Sequence, residues 1–327
     1  MLRSFIWVLA LTLLTTPVGA ASPETRIVNA TNVRVRSGPG TDASIVGELL
    51  FGTDVVALER TGGANAWDRV TSEDGPTGWV QGSLTTPVGP GGRDQTRESM
   101  VRARLERLSQ LTGEGFGARL QFFEFIDRIS AGLTDREAEG RFALYRLRAM
   151  GHVALGIPFG RSKADPYRAW IRAHQEAVWY DEPGGSWMVS VPFVIGVHET
   201  YGDTGAADDI GWFLVQNGMG GECEGDVPCY IDRTDQLYGQ YLRWHPGGQH
   251  TDEANARIAT GLNEAMDNLR AFPRVLREFD PSTRSKLRAA LDLLVSAVKS
   301  STSVRKAEAL GASGRFEQLC ATDKADK

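Results

Sequence analysis

Two different spacings of hydrophobic residues divide the chain. Between residues 28 and 86, short runs alternate apolar with polar positions, and Gly or Pro stands at nearly every break. Residues 32–36 (NVRVR) form one such run, and the turn-forming residues 37–40 (SGPG) end it. Five runs of this kind lie within residues 28–86, and so many short strands in so little sequence predict a small all-β barrel.

From residue 97 onward the apolar positions follow a helical period, and we predict an all-α domain over residues 97–320 with about ten helices between residues 97 and 312. Residues 134–137 (TDRE) form a capping box, and Asp165 and Asp280 each precede a first-turn proline. The residues that share a helix face are Val101, Leu105, Leu108 and Leu111; Ile258, Leu262, Met266 and Leu269; and Leu287, Leu291, Leu294 and Val298.

A stretch rich in Gly and Pro separates these two patterns, and we predict a linker over residues 87–96. Within the helical part, residues 201–210 and 245–254 are similar at an offset of 44 residues. In each, an aromatic ring ends a helix, a tight turn follows, and an acidic pair opens the next helix. This spacing favours a repeat of helical hairpins.

The N-terminus has the pattern of a secretory signal peptide, which we assign to residues 1–20. Arg3 precedes the apolar run 5–14 (FIWVLALTLL), and small residues follow at Ala20 and Ala21. A bilayer span needs about 20 apolar residues, so an uncleaved anchor is the less favoured alternative. We expect an exported protein without a membrane span after cleavage, with the periplasm as its compartment.

Composition and charge exclude several classes of protein. Hydrophobic residues make up 41% of the 327 residues and charged residues 24%, as in a globular chain rather than a disordered one. Lys plus Arg number 36 against 41 for Asp plus Glu, which gives a formal net charge of −5. We therefore expect no nucleic-acid partner.

The three cysteines fit an oxidising compartment. Cys223 and Cys229 lie six residues apart in a Gly-rich stretch, so we predict a disulfide between them. Metal ligation is the alternative, but no second Cys or His pair has zinc-finger spacing. Cys320 is left without a predicted partner.

The order NVRVRSGPGTDASIVGELLFGTDV, WDRV and GPTGWVQGSL over residues 28–86 resembles a bacterial SH3 (SH3b) domain. This resemblance implies an extracytoplasmic module, often one that binds cell-wall peptides or other proteins, and it does not imply catalysis. Trp67 and Trp79 fit either a ligand groove in this domain or its core. Residues 241–254 resemble the helix–turn–helix junction of tetratricopeptide-like periplasmic proteins, which implies an antiparallel pair of helices there.

Candidate catalytic chemistry is sparse. His198 and Glu199 form the most suggestive polar cluster, but the zinc-protease motif needs a second His at position 202, where this chain has Gly. His245 and His250 flank a Pro-Gly-Gly stretch that favours a turn over a zinc site. A Ser-His-Asp set assembled by the fold stays open. We therefore assign no catalytic, cofactor-binding or metal-binding residue.

Together these patterns predict an exported, non-enzymatic binding or scaffold protein of the bacterial cell envelope. Its SH3b module would contact peptidoglycan or an envelope protein, and the helical domain would scaffold further contacts. The alternative is a peptidoglycan hydrolase whose catalytic domain is helical and unlike known ones.

Overall fold

A computed structural model describes residues 23–110, 114–272, 274 and 279–322. The predicted signal peptide 1–20 and Leu111 lie outside these residues. The chain divides into two compact units between Met100 and Val101. We call the first the β domain and the second the helical domain.

The β domain is one antiparallel sheet of seven strands in the order β3-β2-β6-β5-β4-β1-β7. A single turn of 3₁₀-helix, Gly82–Leu84, precedes the last strand. The buried cluster of the domain consists of Val28, Val33, Val35, Leu49, Val55, Val70 and Val80. The strands are β1 (Glu24–Val28), β2 (Val33–Arg36), β3 (Ile45–Leu49), β4 (Asp54–Arg60), β5 (Trp67–Thr71), β6 (Gly78–Gln81) and β7 (Thr85–Pro87).

The sheet extends beyond the boundaries that alternation predicts. Strand β1 begins before residue 28 and pairs with both β4 and β7, with Arg26 opposite Val55 and Ile27 opposite Thr86. Helix α1 (Gly92–Gln110) begins inside the predicted linker 87–96. A glycine-rich stretch is thus part turn and part first turn of a helix.

Gly78 allows β2 and β6 to approach closely. A Cβ at this position would lie 2.5 Å from the carbonyl oxygen of Arg36 and 2.7 Å from Cγ1 of Val35. Since real side chains do not come so near to backbone, only glycine fits between the two strands here. This approach places Arg36 directly opposite Trp79.

The helical domain contains helices and one short hairpin, β8 (Val178–Asp181) with β9 (Ser186–Val189), where we predicted helices and turns only. One turn of π-helix, Asp235–Gly239, continues α7 into α8. The helices are α2 (Phe116–Ser130), α3 (Arg136–Leu155), α4 (Tyr167–Ala173), α5 (Val191–Tyr201), α6 (Ala207–Asn217), α7 (Val227–Thr234), α8 (Gln240–Trp244), α9 (Thr251–Ala271), α10 (Pro281–Ser300) and α11 (Lys306–Thr322). The fold class is therefore an SH3-like β domain followed by an essentially all-α domain, as predicted.

The helix faces predicted by periodicity are buried at every described position. Those in α9 and α10 belong to one core cluster with Tyr241 and Phe316, and Val101, Leu105 and Leu108 of α1 are buried as well. An amphipathic stripe of this kind stabilises a helix chiefly through tertiary packing.

Of the three predicted helix N-caps, only Asp280 is the observed cap. Asp280 caps α10, since its carboxylate accepts hydrogen bonds from the backbone N–H groups of Ser282 and Thr283. Helix α3 is capped by Asp135 and not by Thr134. Asp165 is no cap either, because α4 begins after Pro166 and the Asp165 carboxylate pairs with Arg168 instead.

The two sequence stretches offset by 44 residues adopt the same turn. The N–H groups of Thr204 and Gly248 donate to the carbonyls three residues before them, and Ile210 and Ala254 donate to the carbonyls four residues before them. A third turn leads into α4, and there the N–H of Ala164 likewise donates to the carbonyl three residues before it. The turns recur, whereas a repeat of whole helical hairpins stays a prediction.

Two histidines connect the helix before the Thr204 turn with the turn at Gly248. The Nε2 atoms of His198, on α5, and His245, after α8, lie 2.8 Å apart. The ring of His198 also stacks on Trp244 at 3.8 Å between centroids. Since one nitrogen must donate and the other accept, both rings satisfy each other when they are neutral.

The protein environment favours the neutral form of this pair. Burial, helped by the nearby His245, lowers the pKa of His198 to about 4. Burial also lowers the pKa of His245, against the opposing effect of the Asp208 carboxylate. A proton on each ring would remove the acceptor and place two cations in contact.

We expect Gly78→Ala to loosen the β domain, because the added methyl group collides with the backbone of β2. Overpacking of this kind costs about 1–3 kcal/mol. Hydrogen exchange of the full-length protein should then be faster in the amides of β2 and β6. Gly62→Ala is the matched control, because a Cβ there meets nothing within 4 Å. Equal protection in the two variants would contradict this account of Gly78.

We expect the free energy of unfolding to fall as the pH drops from about 6.5 to about 4. In this window the unfolded chain protonates His198 while the folded protein keeps it neutral. Urea midpoints across this range would measure the loss. The His198→Gln variant keeps an N–H donor for His245 but has no group that titrates at this position. Its urea midpoint should therefore fall less over this pH range than the midpoint of the unsubstituted protein. If the urea midpoints of the variant and of the unsubstituted protein fell equally with pH, His198 would not be the group responsible.

Candidate ligand-binding surface

Trp67 and Trp79 lie on the same outer face of the β domain. In the pairing of β5 with β6, Trp67 is opposite Gln81 and Arg69 is opposite Trp79, so the two tryptophans are diagonal neighbours. Both are half-buried and lie outside the core cluster of the domain. Of the two alternatives from the sequence, this placement favours a surface role over a core role.

A row of paired residues crosses five strands at Trp79. Arg36 of β2 and Arg69 of β5 are its neighbours on either side, and the row ends at Ile45 on β3 and Glu59 on β4. We call these five residues the Trp79 row. Ile45, Arg69 and Glu59 are exposed, and Arg36 and Trp79 are half-buried. An indole between two guanidinium groups offers an apolar face and two charged donors to the same ligand.

The opposite face of β5 and β6 explains why the row points outward. Val70 and Val80 are fully buried, and so is Asp68 between Trp67 and Arg69. The Asp68 carboxylate lies 3.5 Å from Nε of Arg26 and 3.5 Å from Nη1 of Arg60. Since successive strand residues alternate between faces, these inward residues fix Trp67, Arg69 and Trp79 on the outside.

Arg36 is held in place by a local contact. Its Nη1 donates to the carbonyl of Ala43 at 2.6 Å, across the turn between β2 and β3. This bond uses one end of the guanidinium and fixes the side chain at the turn.

The polar cluster of the helical domain does not form a two-residue site. His198 is buried against His245 and Trp244, while Glu199, the next residue of α5, is exposed. Of the other predicted residues, His250 stacks on Trp212 at 4.4 Å between centroids. These histidines therefore act in packing between helices.

The same junction contains polar groups that sequence reasoning missed. The hydroxyl of Tyr241 donates to Asp208 at 2.5 Å, and the backbone N–H of Gln249 donates to the other carboxylate oxygen at 2.8 Å. Burial, together with the hydrogen bond to Asp208, raises the pKa of Tyr241 above its ordinary value. Asp208 thus ties α6 to the turn before α9, and its place in an acidic helix start was the only sequence signal.

The cysteine pair meets the geometry of a disulfide. Cys223 and Cys229 are bonded, with Cα atoms 5.5 Å apart, and close a loop at the start of α7. Gly220 and Gly221 precede this loop with positive φ, and Arg233 donates to both of their carbonyls. The buried Asp181 accepts from the N–H of Gly221, so the loop is fastened to the β8–β9 hairpin.

A metal site and a membrane span would each need a distinct arrangement of the residues that the structure describes. Among them, no group of three or more His, Cys, Asp or Glu side chains is arranged to hold a metal ion. Within the same part of the chain, no helix has the length and apolar character needed to cross a membrane.

Comparison with known proteins identifies the β domain. Residues 31–86 match the family model described as the bacterial SH3 domain. A protein named probable endopeptidase p60 from Listeria monocytogenes is 39% identical over 79 residues, which are 22% of this chain and 16% of that protein. Its namesake from Listeria innocua is 42% identical over 59 residues, or 18% and 12% of the two chains.

The chain therefore covers less than a fifth of the length of these curated relatives. The family match confirms the resemblance stated from the residues, and it runs from the loop between β1 and β2 to β7. Residues 31–86 form a bacterial SH3 domain.

Proposed function

We propose that this chain is an exported, non-enzymatic binding protein of the bacterial envelope, whose SH3 domain holds peptidoglycan or an envelope protein through the Trp79 row. The observation that carries the proposal is the position of Trp79 between Arg36 and Arg69 on an outer face of the sheet. The bacterial SH3 family and the p60 relatives support a cell-wall role for the domain.

The chemistry of the row suits this ligand class. An indole ring packs against the apolar faces of sugars and peptide side chains with little loss of side-chain entropy. Guanidinium groups form bidentate hydrogen bonds with carboxylates, such as those of cell-wall peptides. A ligand that combines both groups would contact Trp79 and Arg69 together.

The helical domain serves as a scaffold in this proposal. His198 and His245 bond to each other, His250 stacks on Trp212, and Asp208 bonds to the turn before α9. The signal-like residues 1–20 support export, and the disulfide-forming pair suits an oxidising compartment such as the periplasm.

The alternative is a peptidoglycan hydrolase in which the SH3 domain targets a helical catalytic domain. The observation that favours it is the printed name of the two relatives, probable endopeptidase. One assay of the full-length protein distinguishes the two functions.

We expect the protein to co-sediment with purified peptidoglycan sacculi and to release no muropeptides. Trp79→Ala should weaken co-sedimentation about tenfold, because a central aromatic residue carries a large share of binding energy. Arg69→Gln should weaken it less, since Arg69 is more exposed than Trp79.

Leu50→Ala is the matched control, because Leu50 is an exposed apolar residue of the same domain outside the row. Thermal unfolding of each variant verifies that it is folded. Release of soluble fragments would establish the hydrolase. Undiminished sedimentation of both Trp79→Ala and Arg69→Gln would rule out the row as the binding surface.

A further inference from the structure

Two adjoining cavities lie between helices α3 and α5 of the helical domain. The larger has a volume of about 310 Å³ and the smaller about 120 Å³. Arg146 of α3 and Phe193 of α5 line both cavities, so the two are neighbours along the same helix pair. Neither cavity is lined by His198, Glu199, His245 or His250.

Arg146 is held rigidly beside the larger cavity. Its Nε donates to the Asp127 carboxylate at 2.5 Å, and its guanidinium carbon lies 5.4 Å from the centroid of the Phe123 ring. Neither of its terminal nitrogens has a hydrogen-bond partner among the residues that the structure describes. A guanidinium fixed at Nε presents those two nitrogens as a preorganised fork.

Two further basic side chains line the same cavity. Arg172, at the end of α4, is exposed and makes no ion pair within the described part of the chain. His174 is fixed by stacking on Trp170 and by the bond from its Nδ1 to the Trp170 carbonyl at 2.9 Å. This leaves Nε2 of His174 without a partner in the described residues, and it becomes a donor when the ring is protonated.

The charges around the cavity disfavour a ligand with two negative charges. The Asp127 carboxylate pairs with Arg146, and Glu176 lines the cavity together with Arg172. A doubly charged phosphate would be repelled by both acids, whereas one carboxylate matches the remaining donors. Met150 and Phe193 contribute apolar side chains to the lining of the same cavity.

We propose that this cavity is a binding site for a carboxylate attached to an apolar group. The carboxylate accepts hydrogen bonds from Arg146 and Arg172, and the apolar group packs on Met150 and Phe193. All of these residues belong to the helical domain, so the proposal is independent of the Trp79 row and of the function proposed for it.

The test is a titration of the full-length protein with N-acetylphenylalanine, followed by the NMR shifts of the backbone amides. We expect binding in the millimolar range, with shifts at His174 and Phe193 and none at Leu291 of α10. N-acetylphenylalaninamide has the same apolar group without the charge, and it should bind about tenfold more weakly. Inorganic phosphate should not compete at equal concentration.

Arg172→Gln should weaken the acid about tenfold and leave the amide unchanged, because it removes one charged donor from an exposed position. Arg168→Gln is the matched control on the same helix, since the Arg168 guanidinium pairs with Asp165 instead. Equal binding of acid and amide, an unaffected Arg172→Gln variant, competition by phosphate or absence of millimolar binding would each overturn the proposal.

Discussion

The alternation of side chains along β5 and β6 is the constraint on which the β domain depends. Val70 and Val80 must be buried, and a slip of one residue in the register would carry them to the solvent side. The same slip would drive Trp79 into the core and Asp68 away from Arg26. The core therefore determines the outer surface, although the two share no side chain.

In the helical domain, polar contacts at the turns fix how neighbouring helices pack. Gly248 permits the turn before α9, since a Cβ there would lie 2.5 Å from the Tyr241 hydroxyl and 2.6 Å from the Asp208 carboxylate. The contacts of Asp208 and of the histidine pair all join residues more than thirty positions apart. Helices that are short by themselves thereby gain a fixed packing angle.

The sequence predicts features that depend on neighbouring residues better than contacts between residues far apart in the chain. Periodicity identified the buried faces of α9 and α10, and motif order identified the SH3 domain, because both signals are local. The sequence does not predict the contact between His198 and His245, since no local pattern marks the two residues as neighbours. Trp79 was a candidate ligand-groove residue from the sequence, but its arginine neighbours on β2 and β5 depend on register, which a single sequence does not reveal.

Together with the net charge of the chain, the Trp79 row bears on how fast the protein would approach a ligand and how long it would stay bound. In the proposed function, an anionic polymer such as a cell wall would be repelled by the net charge of −5 on the whole chain and attracted locally by the row. The repulsion acts at long range and is screened beyond about 8 Å at physiological ionic strength. Added salt would therefore speed the approach of the protein, because it screens the repulsion, and it would shorten the residence time, because it weakens the contacts of Arg36 and Arg69.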